Sequence, residues 1–174
     1  MACTLTGSQL LDCKDSVGGI RELKLKVHPG STVLAADFTY SSGSITAIAS
    51  GSRSLWYTHG LEKETASATT TGQYSPQNGT TFYNQEVKII LNKLSARLYY
   101  EFDIMAKARV IVAIRDFNDV YQVFGYEFGC DMSASTMGTG TARGDRNGYE
   151  VTLMGKEKII TPVITSTIWD TLIT

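Results

Sequence analysis

The chain has 174 residues, 16 lysines and arginines against 17 aspartates and glutamates, and is 43% hydrophobic. That length suits one domain able to bury about two-thirds of its unfolded surface, and ordinary apolar content with a net charge of −1 excludes a disordered chain. The charges balance in both halves, which excludes the basic surplus that displaces counterions from nucleic acid. A count of 21 threonines, 15 serines and 16 glycines leans toward pleated, half-buried surfaces and turns.

Residues 1–16 show neither the basic nor the apolar region of a secretory signal. No apolar run approaches the roughly 20 residues that a membrane span needs. Cys3, Cys13 and Cys130 have no metal-ligand spacing, so reduced thiols are expected rather than a disulfide framework or a zinc site. The sequon Asn78-Gly79-Thr80 reads as a turn.

In chain order, residues 20–27 alternate Leu23, Leu25 and Val27 with Lys24 and Lys26, predicting a strand with one wet face. Pro29-Gly30 ends it. Strand-like runs follow at 32–39, 45–49 and 53–58, separated by Ser/Gly clusters. Residues 62–71 have high β-propensity but almost no large apolar side chains, predicting a strand that is solvated or covered by another molecule. Residues 72–79 are dense in turn formers and read as a hairpin connection to a strand at 81–91. Leu91, Leu94, Leu98, Phe102 and Met105 then recur at helical spacing, predicting one helix over about 92–106, capped by Asn92. A strand at 108–117, a turn at Asn118-Asp119 and a strand at 120–129 follow. Residues 133–148 read as a Gly-rich loop, and strands at 149–154 and about 159–165 end the series. Strands, one helix, then strands predict a single domain over 1–174: mainly β, an antiparallel β-sandwich or barrel with one flanking helix.

The chain advertises little chemistry. His28 and His59 lack a second ligand at metal spacing and read as surface or turn residues. No serine sits in a nucleophile elbow, and the Gly-rich stretches lack the P-loop lysine. Glu62, Lys63 and Glu64 read as a solvated strand face, and Arg143-Gly144-Asp145 as a charged turn. No catalytic, metal or cofactor-binding residue is nominated, and no cofactor is expected.

The order and spacing of several pieces between residues 34 and 157 carry more. They run from Leu55-Trp56-Tyr57 and Glu62-Lys63-Glu64-Thr65-Ala66-Ser67 to Asn78-Gly79-Thr80-Thr81 and Tyr83-Asn84-Gln85-Glu86-Val87, then the amphipathic helix. Val110-Ile111-Val112-Ala113-Ile114, Val120-Tyr121-Gln122-Val123-Phe124-Gly125-Tyr126 and the run from Gly138 to Tyr149 complete them, with Gly155-Lys156-Glu157 behind. In this series the chain resembles the tail tube (major tail) proteins of tailed bacteriophages, especially a group from phages of Bacteroides-like hosts. The resemblance implies a virion structural protein, made in the bacterial cytoplasm, and not an enzyme. Six copies would form a ring whose sheets join around a lumen, and rings would stack into a tube that conducts viral DNA without sequence-specific binding. Implied partners are further copies, tail terminator, baseplate or tail-tip, tape measure and sheath proteins, with no membrane anchor. By the same analogy, loops between strands make ring-to-ring contacts: Tyr40, Ser42, Gly43 and Ser44 in one, and Gly72, Gln73, Tyr74, Ser75, Gln77 and Asn78 in the other.

Two alternatives stand beside it. One is a related ring-former: a tail terminator, a neck adaptor or an injection-system tube protein. The other is a monomeric carbohydrate-binding β-sandwich with Trp56, Tyr57, Tyr74 and Tyr83 as an aromatic platform.

Overall fold

A computed structural model describes residue 14 and residues 16–30 and 37–173; most of the strand expected at 32–39 lies outside the described residues, as do Cys3 and Cys13. The chain is mainly β, as its composition predicts. Its strands are β1 (Ile20–Val27), β2 (Phe38–Ser41), β3 (Ser44–Ile48), β4 (Tyr57–His59), β5 (Ala66–Ser75), β6 (Thr80–Asn92), β7 (Val110–Asp116), β8 (Tyr121–Phe124), β9 (Cys130–Gly138), β10 (Gly148–Glu157) and β11 (Val163–Ile164). Among the described residues two helices, α1 (Ala96–Lys107) and α2 (Ser166–Thr171), complete them.

The apolar run of β7 is buried on both faces, which is what a continuous apolar strand demands. Val110, Val112 and Ile114 point into one core, Ile111 and Ala113 into another, and all five are at most 3% exposed. One edge of β7 pairs with β1, from Ile20↔Asp116 to Val27↔Val110. Its other edge pairs with β8 from Arg115↔Tyr121 to Val112↔Phe124, then with β9 through Val110↔Cys130. Residues 125–129 bulge out between these registers. Gly125 and Gly129 hold φ values of 65° and 83°, which side-chain-bearing residues rarely adopt. A Cβ on Gly125 would also stand 2.7 Å from the Cys130 Sγ. At this corner one continuous strand leaves the first layer and enters the second, the device by which a single sheet folds over itself.

The first layer runs β4-β1-β7-β8-β11-β3-β2 and the second β9-β10-β6-β5. Between them lie Leu23, Leu25, Val87, Ile89, Phe124, Val151 and Leu153, closed on one side by Phe102 and Met105 of α1. Phe102 lies 4.3 Å, centroid to centroid, from Tyr149 of β10. The sheet is antiparallel except for one parallel pairing, Val163↔Ser44. The helix starts four residues later than expected: Ser95, not Asn92, caps it by accepting the Leu98 N–H, while Leu91 and Asn92 finish β6. Residues 133–138, expected in a loop, extend β9, and residues 62–65, expected in a strand, precede β5 with Glu64 at φ 59°.

A second correction concerns the wet face expected for β1. The second core, built on Phe38, Ile45, Ile48, Trp56, Ile111, Val123 and Ile164, is roofed by Trp169 and Leu172 from α2 and its C-terminal end. Lys24 lies under this roof, and Lys26 lies against the Trp56 ring and the carbonyls of Ser52 and Ser54. The Lys24 Nζ donates to the carbonyls of Trp169 (3.1 Å) and Leu172 (2.9 Å) and stands 4.5 Å over the Trp169 ring. The Lys26 Nζ donates to the carbonyls of Ser52 and Ser54, both at 2.9 Å. Burial pulls both ammonium groups below their usual pKa, with Glu22 and Asp170 opposing at Lys24 and Asp37 at Lys26. The short α2 offered no long periodic stripe, so its sequence pointed only to a strand end.

Lys26→Ala would strip two carbonyls of a donor in a buried setting. It should cost about 2–3 kcal/mol in urea unfolding, against under about 0.5 kcal/mol for Lys156→Ala on the solvent face.

Candidate assembly interface

The second layer has two open edges. β5 pairs only with β6, and beyond the Cys130 pairing β9 pairs only with β10, among the described residues. Natural sheets protect long edges with charge, proline or a covering element. Here β5 (ASATTTGQYS) carries none of these residues, and β9 (CDMSASTMG) carries one charge, Asp131. All three pairings in this layer are antiparallel. The strands therefore alternate in direction, and β9 runs opposite to β5. An edge β9 of one copy is thus oriented to continue the same antiparallel pattern onto β5 of another.

The ladder identifies which atoms are open. The Ile90 N–H donates to the Thr65 carbonyl at 2.8 Å. In an antiparallel pair hydrogen-bonded positions alternate, so Ser67, Thr69 and Thr71 bond to β6 while Ala66, Ala68, Thr70 and Gly72 turn their N–H and C=O groups outward. Side chains alternate as well: Ala66 and Ala68 pack against the core, and Ser67, Thr69, Thr71 and Gln73 line the outer face. Across that face stand Glu86, Lys88, Glu150, Thr152 and Lys156 with Ile90 and Met154 among them, a largely polar surface with charges of both signs. Lys88 meets Glu150 at 2.6 Å, and Lys88 and then Arg146 hold the Glu150 carboxyl below its usual pKa.

The residues nominated as assembly loops are hairpin tips and strand ends rather than long loops. Tyr40 lies in β2 and Ser44 in β3, and only Ser42 and Gly43 (φ 49° and 87°) form the turn. Gly72, Gln73, Tyr74 and Ser75 continue β5, whereas Gln77 and Asn78 sit in the turn. These two hairpins converge on a group of phenols. Tyr40 stacks on Tyr126 with ring centroids 6.4 Å apart, and Tyr74 meets Tyr83 edge-on at 6.3 Å. Burial first, then Tyr74 and Tyr40, keep the Tyr83 phenol above its usual pKa. Trp56 is fully buried and donates its Nε1–H to the Ser52 carbonyl, so the platform of Trp56, Tyr57, Tyr74 and Tyr83 is not assembled.

At the base of β9 lies a polar group that the sequence did not reveal. Gln85, Gly155 and Glu157 share the inner face of the second layer, and Gln85 and Glu157 are buried to 0% and 1% exposure. The Gln85 Oε1 accepts the Gly125 N–H at 2.8 Å. The Glu157 Oε1 accepts the N–H groups of Glu127 (3.3 Å) and Phe128 (3.0 Å), while Glu157 Oε2 and Gln85 Nε2 have no partner. Burial pushes the Glu157 carboxyl up to about 7 against the pull of those N–H groups. Burial likewise raises the Cys130 thiol and the Tyr126 phenol to about 12. The signal in the sequence, a glutamate in step with Val151 and Leu153, was hidden by the general polarity of that stretch.

Both histidines depart from expectation. His28 is buried, its Nε2 3.1 Å from the Glu127 carbonyl, and its pKa is lowered chiefly by burial. His59 ends β4 and, with Tyr57, Arg97 and Tyr100, lines a groove of about 420 Å³ between β4 and α1. Burial holds its pKa down, partly offset by Glu101. No cysteine or serine lines that groove. In the exposed Arg143-Gly144-Asp145 turn the Asp145 carboxylate is tied to the N–H groups of Ala142 and Thr141, which lower its pKa. Among the described residues no three His, Cys, Asp or Glu side chains gather into a metal-binding group, and no helix is long and apolar enough to cross a membrane.

Comparison of the chain with family models, curated proteins and solved structures returns no match.

In the free subunit the amides of Ala66, Ala68 and Thr70 should exchange with deuterium fast, while Ser67, Thr69 and Thr71 exchange slowly. Residue-resolved NMR exchange checks this alternation.

Proposed function

We propose that the protein is a structural subunit that self-associates edge to edge, β9 of one copy onto β5 of the next, into closed rings that stack as a phage tail tube. The observation that carries this reading is the pair of open, direction-matched edges on one four-stranded layer. Such a junction is heterologous, with different surfaces meeting, and repetition of a heterologous contact closes into a ring when its rotation permits. Closure satisfies every open N–H and C=O group on both edges and removes the aggregation hazard of an isolated sheet. The resemblance of the sequence to tail tube proteins supplies the six-fold ring and the tube.

The outer face of the layer suits a wet lumen. Ser67, Thr69, Thr71, Thr152 and paired charges present hydroxyls and both charge signs rather than a basic stripe. A conduit of that kind lets DNA slide, because few phosphates are neutralised by fixed cations. The phenol group at the converging hairpin tips, with Tyr74 67% exposed, is the surface from which ring-to-ring contact is built.

Negative-stain electron microscopy of the purified protein, with light scattering on the same sample, tests this. Hollow tubes with a regular axial repeat are expected; rings alone would favour the terminator or adaptor reading, and a monomer at all concentrations would overturn self-assembly. Ala68→Pro removes an outward N–H while leaving the bonds to β6 in place. It should keep the monomer's β-type circular dichroism and abolish assembly.

A further inference from the structure

The corner at residues 125–129 decides where β9 starts; Gln85, His28 and Arg109 touch its backbone at Gly125, Glu127 and Phe128, and one buried carboxyl takes its central N–H groups. Both N–H groups that close the corner onto β10, those of Glu127 and Phe128, end on one oxygen of Glu157. Its other oxygen has no hydrogen-bond partner, and Gln85 Nε2 is likewise unpartnered, while the Gly129 N–H, bonded to the Gly125 carbonyl, adds a weaker pull on the carboxyl. The charged groups around it offer no counter-ion. Lys158 is taken by the Glu127 carboxylate at 2.9 Å, and Arg109 by the Phe128 carbonyl at 3.2 Å. Asp131 adds negative charge from β9; His28 of β1 is held toward its neutral form by burial; Tyr126 and Cys130 stay neutral. A buried carboxylate without a cation is costly, whereas a neutral acid there leaves only one hydroxyl unpaired.

We propose that Glu157 is a proton-operated latch: protonated, it holds residues 125–129 closed and fixes the start of β9; ionised, it releases them. The corner is the part that gives way. β10 is locked along its whole length by the ladder to β6, and from Gly148 to Gly155 by the ladder to β9, whereas residues 125–129 pivot on two glycines in the left-handed region. Release admits water to the carboxylate and exposes the Cys130 thiol, which lies against Gly125 and Gly155. The sign follows from linkage. A free glutamate titrates near 4.5 and Glu157 near 7, so the closed corner binds the proton more tightly. The closed state is favoured in full below 4.5, loses that advantage as pH rises through 7, and gains nothing further above it. Resting on the assembly reading, ring formation should weaken over the same interval, because an edge whose first residues are loose is a poorer template.

The test uses the unassembled full chain, compared with Glu157→Gln, which still accepts both N–H groups but cannot ionise. Hydrogen-exchange protection factors for the Glu127 and Phe128 amides are followed from about pH 5.5 to about 8.5. In the wild type they should fall about tenfold or more between about pH 5.5 and 7 and level off above it, and in the variant they should stay level throughout. A flat wild-type profile, or the same fall in the variant, overturns the latch. If the variant does not fold, carbon NMR of the wild-type Glu157 carboxyl decides, and titration at the ordinary glutamate value overturns the proposal. Light scattering over the same range is a separate readout: no assembly at any pH sinks the assembly reading and leaves the latch to the exchange data.

Discussion

Burial of β7 on both faces is the constraint from which the rest of the molecule follows. Five consecutive apolar residues cannot be half-wet, so each face must be covered by a different set of elements. One face takes the β6–β10 layer and α1; the other takes the β2–β3 hairpin, Trp56 and α2. The chain reaches both with little connecting loop because β8 and β9 are one strand interrupted by a five-residue bulge. The tight glycine and cysteine packing at that bulge sets the angle at which the second layer leaves the first.

This arrangement gives the two layers different characters. The first layer is covered by its own chain on the outer side, down to the lysines of β1. The second is covered only on its inner side, so its outer face and both edges are left to solvent or to neighbours. The polarity of β5 is consistent with that division: small hydroxylated side chains keep the strand soluble while leaving its backbone accessible.

The elements most legible in the sequence were those with a strong period. The run 110–114 and the alternation of 20–27 gave strands in place, and the spacing of Leu98, Phe102 and Met105 gave the helix. Beginnings and ends were less legible. Asn92 looked like a cap because Leu91 extends the helical spacing backward, but its backbone is claimed by the ladder to Gly148. The strand at 130–138 was hidden because its small and polar residues carry no clear alternation; it is a strand because β10 offers it hydrogen bonds, a long-range cause that local propensity does not record. The wet face predicted for Lys24 and Lys26 failed for a similar reason, since the residues that cover Lys24 lie 145 and 148 positions away and those that cover Lys26 lie 26 and 28 away. For the candidate interface, the unusual polarity of β5 was visible, while the openness of its edge and the buried Glu157 depended on register.

The Lys24 pin under α2 has a consequence for how the chain is made. Lys24 leaves the ribosome long before residues 169 and 172, whose carbonyls it binds, and Trp56 waits for the Ile173 carbonyl that its N–H meets at 3.0 Å. Until those residues emerge, the second core lacks its roof and the Lys24 ammonium lacks both of its carbonyl partners. Contacts of such sequence separation carry a large loop-closure entropy and form late. The second core therefore closes only after the residues of α2 and its C-terminal end have been synthesised.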